Sequence, residues 1–470
     1  MRYKHVHFIG IGGIGMSGIA SILRTKGVFV SGSDVKDSRL LESLRREGIK
    51  VYLGHQAENI SGADLAVYSS AIKPDNVEFI AAEKHNIPLM RRAECLAALM
   101  KDKVAITISG AHGKTTTTSL VAHMLIQAGF NPTAVIGGIV RNWDDNIFIG
   151  ESRYFVAEAD ESDGTFLKYE PVYSIVTNID YEHLDYYKDY ASIVKAFAEF
   201  MEKTKDEGCL IACYDDLNIR KILSGIKKRF ITFGLSQGCD VRADSVSQEG
   251  FTCGFDCFWH NEPLGRFKLS IPGLHNVSNS LAVIALGQEL GVAKDVIRES
   301  LSTYKGAERR LEIKGESPEY LIIDDYAHHP TEIKATLSAA RSIAEHKCYK
   351  RLIVVFQPHR FSRTKFLMDE FSDSFDQADY LIITDIYAAS ELPIAGINAE
   401  TICEKIRKKG RKNVEFIQKE KIVNRILVIV NSGDLIITLG AGDVGKLADE
   451  LSFKLIKQNL PMPPLAAPRH

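Results

Sequence analysis

The feature that most limits how this chain can fold is the run Gly110-Ala111-His112-Gly113-Lys114-Thr115-Thr116, which follows a β-branched segment at residues 104–108. Small residues let backbone N–H groups turn toward an anion, and a helix beginning here adds partial positive charge to that of Lys114. The Thr115 hydroxyl can bind Mg²⁺. A strand, a tight loop and a helix in this order predict a parallel α/β sheet that binds nucleotide phosphates. The alternative is a tight turn with a surface lysine.

Acidic residues follow the next predicted strand, residues 154–157, in the run Glu158-Ala159-Asp160-Glu161-Ser162-Asp163-Gly164. A carboxylate at the end of a neighbouring strand suits a hard cation bound to phosphates, so Glu158 is predicted to bind the metal. The remaining acids are equally well explained as helix caps and solvated charges.

A third predicted strand, residues 173–177, is followed by His183, which stands where a second metal ligand could lie. The intervening run Thr177-Asn178-Ile179-Asp180 is similar to a guanine-reading motif, but the lysine expected at its second position is absent. A GTPase-like switch is therefore one alternative function.

A second glycine loop, Gly10-Ile11-Gly12-Gly13-Ile14-Gly15, follows a strand at residues 6–9 and precedes a helix. Asp34 lies about 20 residues further on, the spacing of a dinucleotide-binding fingerprint. The pattern requires only a diphosphate near the helix N-terminus and an acid near a ribose or base. NAD, FAD and a UDP-linked substrate all satisfy it, and a close helix–strand crossing without a ligand is the remaining alternative.

Near the C-terminus, Asp325, Tyr326 and His328 follow a strand at residues 320–323, and Arg360 and Arg363 follow the strand at 352–356. Two arginines about one turn apart can grip a carboxylate, and Asp325 could hold a ribose hydroxyl. The alternatives are helix caps and a solvated basic face.

Short apolar runs alternate with helical patterns over most of the 470 residues, which predicts an α/β protein with mostly parallel sheets. At roughly 100–200 residues per domain, two to four domains are expected. We place them at residues 1–103, 104–308 and 309–458, followed by a flexible Pro-rich tail at 459–470. Residues 234–265 alternate apolar and polar positions, which predicts antiparallel sheet.

The net charge of −2, without a block of one sign, argues against a dedicated nucleic-acid or membrane-surface binder. There is neither a transmembrane run nor a signal-peptide pattern, and the eight cysteines form no CxxC pair, so reduced thiols in a cytoplasmic protein are expected.

Taken together, these motifs give the chain a resemblance to the Mur ligases of bacterial cell-wall synthesis, over essentially its whole length. The runs Gln357-Pro358-His359-Arg360-Phe361-Ser362-Arg363 and Ser31-Gly32-Ser33-Asp34 favour alanine as the added amino acid. The ordered markers of the resemblance are residues 10–15, 31–34, 110–118, 158–164, 177–185, 272–279, 306–310, 324–332, 357–363, 385–389 and 440–443.

The resemblance implies a Rossmann-like UDP domain, a central P-loop ATPase-like domain and a C-terminal Rossmann-like domain. It assigns the UDP-substrate to Gly10, Gly12, Gly13, Ile14, Gly15, Asp34, Ser69 and Ser70. It assigns ATP to Gly110, Ala111, His112, Gly113, Lys114, Thr115, Thr116, Asn276, Asn279, Arg310 and Asp325. It assigns the metal to Thr115, Glu158 and His183, and the amino acid to Tyr326, His328, Arg360 and Arg363. Lys114, Glu158, His183 and His328 would be the catalytic residues.

The implied reaction joins L-alanine to the lactyl carboxylate of UDP-N-acetylmuramate through an acyl phosphate, with ATP and Mg²⁺, in a monomer or weak homodimer. A related ligase that attaches a preformed peptide to the same nucleotide sugar is the alternative within this class. A nicotinamide oxidoreductase built on the first glycine loop is the alternative from another class, and it leaves the Lys114 loop unexplained.

Overall fold

The computed structural model describes residues 3–183 and 186–457. The predicted tail, residue 458 of the predicted third domain and the last two residues of the marker 177–185 lie outside the described residues. The chain forms two compact units. One contains the residues up to Ser245 with Phe255–Ser270 and Asn276–Ala307, and the other contains Val246–Gly254, Ile271–His275 and the residues from Glu308 onward.

A five-stranded parallel sheet opens the first unit, in the strand order β3-β2-β1-β4-β5. The order reverses between β1 and β4, and such a switch point opens a crevice at the carboxyl ends of the strands. The elements are β1 (His5–Ile9), α1 (Ile14–Thr25), β2 (Phe29–Asp34), α2 (Arg39–Arg46), β3 (Lys50–Leu53), β4 (Leu65–Tyr68), α3 (Val77–Lys84), β5 (Leu89–Arg91) and α4 (Arg92–Met100), with a 3₁₀ turn at Ala57–Ile60.

The second sheet has ten strands. The loops of the candidate site follow β10 and β6, which lie side by side within it. Its elements are β6 (Val104–Ser109), α5 (Lys114–Gln127), β7 (Thr133–Val140), β8 (Asp145–Phe148), β9 (Tyr154–Glu158), β10 (Tyr173–Val176), α6 (Tyr190–Glu202), β11 (Cys209–Cys213), α7 (Leu217–Leu223), β12 (Phe230–Gly234), β13 (Val241–Glu249), β14 (Thr252–Trp259), β15 (Glu262–Leu269), α8 (Leu274–Glu289) and α9 (Lys294–Thr303), with a 3₁₀ turn at Thr165–Lys168. The order is β15-β14-β13-β12-β11-β10-β6-β9-β7-β8.

The third sheet, in the second unit, has the order β16-β17-β21-β18-β19-β20 and is parallel except for the β16–β17 pair. Apolar residues cover both of its faces in two core clusters, as expected for parallel strands flanked by helices. Its elements are β16 (Glu312–Glu316), β17 (Tyr320–Asp325), α10 (Pro330–His346), β18 (Arg351–Phe356), α11 (Phe361–Phe366), α12 (Met368–Ser372), β19 (Tyr380–Ile383), α13 (Ala399–Lys408), β20 (Val414–Phe416), α14 (Lys419–Ile429), β21 (Asp434–Leu439) and α15 (Gly445–Ser452), followed by a π-helical turn at Phe453–Lys457.

The predicted fold class is confirmed: three α/β sheets, mostly parallel, follow one another along the chain. The predicted boundaries at 103/104 and 308/309 fall between α4 and β6 and between α9 and β16, and they stay a proposal. All eight cysteines are free. Among the described residues, none of the helices combines the length and apolar character needed to cross a membrane.

A buried polar cluster, centred on Glu78 of α3, connects the strands of the first sheet. The Glu78 carboxylate accepts hydrogen bonds from Ser33 Oγ and from Asn59 Nδ2 at 2.6 Å, and His7 Nε2 lies 3.6 Å away. Burial alone would raise the pKa of this carboxyl, but the donors around it outweigh burial and lower the pKa to about 2.

The Glu78 cluster should make the first sheet sensitive to acid. Because the folded-state pKa lies below the ordinary value of 4.5, its stabilisation is fully present above that pH and is lost as the pH falls toward 2. At neutral pH, Glu78→Gln should lower the free energy of unfolding by on the order of 3 kcal/mol, since one pKa unit corresponds to about 1.4 kcal/mol. Urea denaturation at pH 7 and pH 3, followed by circular dichroism, measures the effect.

A matched control is Glu83→Gln, because Glu83 is exposed on the same helix, α3. It should change stability little at either pH. A Glu78→Gln effect that is equally large at pH 7 and pH 3 would contradict the proposed ionic origin.

Candidate active site

The phosphate loop lies between β6 and α5, and two of its glycines are required by geometry. Gly110 has a φ of +138°, and a Cβ there would lie 2.1 Å from Thr177 Oγ1. Gly113, the N-cap of α5, has a φ of +83°, and a Cβ there would lie 2.7 Å from Asn279 Oδ1. Any side chain at either position would therefore displace the loop from its neighbours.

Asn178, at the end of β10, fixes the conformation of this loop. Its Oδ1 accepts from the His112 backbone N–H at 2.8 Å, its Nδ2 donates to the His112 carbonyl at 3.0 Å, and its own carbonyl accepts from Ala111 N at 3.1 Å. Thr177 Oγ1 also donates to the His112 carbonyl, at 2.6 Å, and His112 Nε2 lies 2.9 Å from Asp180 Oδ2. The run 177–180 thus supports the phosphate loop, a role that sequence spacing alone did not reveal.

Backbone donors without an acceptor lie where the phosphate loop meets α5. Within the described chain, the amides of Lys114, Thr115 and Thr116 have no hydrogen-bond acceptor. They lie at the positive end of the α5 dipole, the arrangement that binds phosphate at helix N-termini. Asn276 and Asn279 of α8 are buried and bonded to each other, with Asn279 against Gly113, so this part of the predicted ATP set is brought together.

Lys114 and Glu161 form the charged centre of the site. Lys114 Nζ lies 2.9 Å from Glu161 Oε1 and donates to the carbonyls of Gly110 at 2.6 Å and Ala111 at 3.2 Å. Burial alone would lower the Lys114 pKa, but the charges of Glu161 and Asp160 outweigh it and raise the pKa, so the lysine is a cation at neutral pH.

Glu161 also contacts His183, whose Nε2 lies 3.1 Å from Glu161 Oε1. Burial alone would lower the His183 pKa, but the contact with Glu161 outweighs burial, and the pKa is raised above its ordinary value. The second oxygen, Glu161 Oε2, is buried and has no hydrogen-bond partner among the residues that the structure describes. Sequence reasoning did not single out Glu161; the run of acids was the only signal, and nothing in it favoured this member.

The donor set around Glu161 fits a divalent cation. Ligand atoms of Asp160, Glu161 and His183 all lie within 4.8 Å of one another. The unpartnered carboxylate oxygen of Glu161 is a site where a cation would satisfy a buried acceptor. Asp160 is ionised, because Lys114, Arg92 and His183 outweigh its burial and lower its pKa. The predicted metal ligand His183 therefore lies in this group.

Glu158 lies against Thr115. It accepts from the Gly137 amide at 2.6 Å and interacts with the Thr115 hydroxyl. Burial raises the Glu158 pKa, while Gly137, Lys114 and Thr115 act in the opposite direction. The structure thus pairs Glu158 with Thr115 and groups His183 with Asp160 and Glu161.

At the first glycine loop, Asp34 holds the backbone rather than projecting from it. Its Oδ2 accepts from Gly12 N at 2.9 Å and its Oδ1 from Lys36 N at 3.2 Å. Ser69 lies at the same edge, with Oγ 3.2 Å from where a Cβ on Gly10 would stand, and Ser70 is exposed nearby in the chain. The predicted UDP set therefore converges on the switch point of the first sheet.

In the second unit, a series of ring contacts joins the predicted amino-acid residues. Ring centroids lie 5.3 Å apart for Tyr326 and His328 and 5.6 Å apart for His328 and His359, and Arg363 Nη1 lies 3.1 Å from His359 Nδ1. Arg360 is the N-cap residue of α11, and its Nη1 lies 4.0 Å from Glu391 Oε1.

The tautomer of His328 follows from its partners. His328 Nδ1 lies 3.0 Å from the Tyr326 carbonyl, which can only accept, so Nδ1 carries the proton and the lone pair of the neutral ring is on Nε2. This arrangement suits the predicted role of proton acceptor.

Asp325, predicted to reach the ATP ribose, forms hydrogen bonds with backbone amides of this chain. Its oxygens accept from Leu311 N at 2.7 Å and Ala327 N at 2.8 Å, and burial raises its pKa to about 6. Arg310, predicted to contact the nucleotide, lies 5.1 Å over the Tyr326 ring. The nucleotide roles of both residues stay predictions.

Comparison with known proteins identifies the class of this site. Three family models match the chain: "Mur ligase family, catalytic domain" over residues 5–104, "Mur ligase middle domain" over 108–287 and "Mur ligase, glutamate ligase domain" over 309–442. The chain therefore belongs to the Mur ligase family and is an ATP-dependent ligase that forms an amide bond, as predicted. Membership removes the oxidoreductase and GTPase-like alternatives.

Particular members of the family are similar over nearly the full chain. The UDP-N-acetylmuramate–L-alanine ligase of Desulfosudis oleivorans is 47% identical over 96% of this chain and 98% of its own. The same enzyme of Geotalea daltonii is 45% identical over 97% and 98%. The structure of UDP-N-acetylmuramate-alanine ligase MurC from Thermotoga maritima aligns with a TM-score of 0.83 at 28% identity, covering 97% of this chain and 100% of that one. A murein peptide ligase from Psychrobacter arcticus, with a TM-score of 0.70 at 23% identity, covering 95% of this chain and 98% of its own, shares the fold.

Proposed function

We propose that this chain joins L-alanine to the lactyl carboxylate of UDP-N-acetylmuramate, with hydrolysis of ATP, in peptidoglycan precursor synthesis in the cytoplasm. The observation that carries the proposal is the phosphate loop with its free amides beside the Lys114–Glu161 centre, in a chain similar at 44–47% identity to alanine-adding ligases. We further propose a monomer or weak homodimer without nucleic-acid or membrane partners.

The reaction proceeds through an activated acid. A carboxylate is a poor electrophile, so transfer of the γ-phosphoryl group of ATP to the lactyl carboxylate gives an acyl phosphate and ADP. The alanine amine then attacks the acyl carbon, and phosphate leaves from the tetrahedral intermediate. The first step brings two anions together, and the second develops negative charge on the oxygen of the tetrahedral intermediate. Lys114 and the amides at the start of α5 lower the barrier of the first step by holding the phosphates.

Magnesium fits the acids described above. Asp160, Glu161 and His183, or Thr115 with Glu158, would hold it. Bound there, it would neutralise phosphate charge and polarise phosphoryl oxygens. Arg360 and Arg363 would hold the alanine carboxylate, and His328 Nε2 would take the proton that the amine loses. Asp34 and the first glycine loop would hold the UDP part.

Amino-acid-dependent phosphate release tests the proposal. Purified protein with ATP, Mg²⁺ and UDP-N-acetylmuramate should release phosphate fastest with L-alanine, compared in parallel with L-serine, glycine and a cell-wall tripeptide. Faster release with the tripeptide would replace the proposal with the peptide-adding alternative, and no release with any acceptor would sink both.

Arg360→Ala should raise the KM for alanine by about 10- to 100-fold, because a charge-assisted contact with the alanine carboxylate is lost. The KM for ATP should change less than about twofold by the same reasoning. Lys365→Ala is the matched control, because Lys365 is an exposed cation of α11, the helix whose N-cap residue is Arg360. Equal increases in both KM values for Arg360→Ala would count against an amino-acid role.

A further inference from the structure

Arg92, the first residue of α4, is a cation that the function proposed above leaves unused. Its guanidinium lies directly over the first glycine loop: Nη1 is 2.6 Å and Cζ 3.5 Å from where a Cβ on Gly15 would stand. Gly15 therefore leaves the space that this guanidinium fills. The Arg92 side chain is 29% exposed, so part of it is accessible to a ligand.

The loop beneath Arg92 offers donors for an anion. Within the described chain, the amides of Ile14 and Gly15 at the start of α1 have no hydrogen-bond acceptor. The neighbouring amide of Gly12 is already bonded to Asp34. Two amides without an acceptor, the N-terminus of a 12-residue helix and an arginine side chain therefore lie together at Gly15.

The other side of Arg92 faces the central sheet. Its Nη2 lies 3.7 Å from Asp160 Oδ2, and its charge helps to lower the Asp160 pKa. The start of α1 is tied to the same sheet, because Asn146 Nδ2 donates to the Ile14 carbonyl at 2.6 Å. Arg92 therefore lies between the glycine loop and the acids around Lys114.

We propose that Arg92 binds the diphosphate of the nucleotide-sugar substrate directly. The diphosphate joins the nucleoside to the sugar, and the reacting carboxylate is on that sugar. Asp160 holds the Arg92 guanidinium, and Arg92 in turn would hold the diphosphate. The position of the diphosphate would then determine how close the substrate carboxylate comes to Asp160, Glu161 and His183. Asp160 keeps the guanidinium in place before the substrate binds. This inference rests on the proposed function, because it takes UDP-N-acetylmuramate as the substrate.

Calorimetric titration of Arg92→Gln with UDP-N-acetylmuramate, UDP and uridine tests the role. We expect the affinity for the two diphosphates to fall by about 10- to 100-fold, the effect of one lost charge-assisted contact. The affinity for uridine should stay within about twofold, since uridine carries no phosphate. Arg92→Lys keeps the charge but not the fork, and should lie between the wild type and Arg92→Gln.

Arg91→Gln is the matched control, because the exposed Arg91 contacts Tyr68 at the end of β4 and not Gly15. It should bind all three compounds as the wild type does. Equal losses for UDP and uridine would overturn the proposal in favour of a structural role, and unchanged UDP binding would overturn it outright. If Arg92→Gln does not fold, Arg92→Lys decides between these outcomes. A wild-type protein that fails to bind UDP-N-acetylmuramate would instead contradict the proposed function.

Discussion

Lys114→Ala should reduce ATP-dependent phosphate release by at least about 100- to 1000-fold, the usual cost of removing one donor aimed at developing negative charge. Lys114 supplies the full positive charge of the phosphate loop, and its Nζ is bonded to the Gly110 carbonyl and to Glu161. Its removal also takes away the largest charge that lowers the Asp160 pKa, so the Asp160 carboxyl should hold its proton more readily. Steady-state phosphate release at saturating UDP-N-acetylmuramate and alanine measures the loss.

Binding of UDP-N-acetylmuramate separates catalysis from folding in this variant. The first glycine loop belongs to a different sheet, so Lys114→Ala should bind the nucleotide sugar with nearly wild-type affinity in calorimetry. Lys103→Ala is a matched control: Lys103 precedes β6 and donates to the Ser152 carbonyl at 2.8 Å, away from the loop. Loss of both activities in Lys114→Ala would mean misfolding or a wrong assignment of the domains.

The fold could be predicted from sequence because it depends on local patterns. A glycine loop after a β-branched strand, as at Gly110, specifies strand, turn and helix without knowledge of distant residues. Parallel strands buried on both faces read as apolar runs, as in β18 and β21. The antiparallel β7–β8 hairpin was missed, because Gly137 and Gly138 interrupt its apolar pattern.

The candidate site was predictable only where chemistry follows local order. Lys114 and Thr115 are specified by the loop itself. The bonds between Asn178 and the His112 backbone join residues that are 66 apart in sequence, and the role of Asn178 depends on β10 lying beside β6. Asp325 shows what a strand-end position leaves open: the sequence predicted a ribose contact, and the structure bonds the carboxylate to two backbone amides, so its nucleotide role stays a prediction.

The acid run that begins at the end of β9 shows why position in the sequence does not reveal which acid binds the metal. Glu158 ends the strand and was predicted as the metal ligand, and the structure places it against Gly137 and Thr115. Three residues later the chain has left the strand, so the direction of the Glu161 side chain depends on the following turn. That turn is held by Tyr187, whose hydroxyl donates to the Glu161 carbonyl at 2.7 Å.

Glu161→Gln should therefore lower the rate of phosphate release by about 100-fold or more, and raise the Mg²⁺ concentration for half-maximal rate by about tenfold or more. The change keeps the volume of the side chain and one acceptor for Lys114 or His183. It removes the charge at Oε2, the buried oxygen for which residues 3–183 and 186–457 provide no hydrogen-bond partner. A Mg²⁺ titration of phosphate release measures both effects, and Mn²⁺ binding followed by electron paramagnetic resonance measures affinity without turnover.

Asp163→Asn is the matched control for Glu161→Gln, because Asp163 belongs to the same acid run but caps the backbone of Thr165, with Oδ1 3.1 Å from the Thr165 N–H. Because asparagine keeps an Oδ1 that can accept from the Thr165 N–H, this variant should change stability little and leave the Mg²⁺ requirement unchanged. A Glu161→Gln variant with a reduced rate but a wild-type Mg²⁺ requirement would assign Glu161 to holding Lys114 alone. A variant with neither change would remove Glu161 from the reaction, leaving Glu158 and Thr115 as the pair that holds the cation.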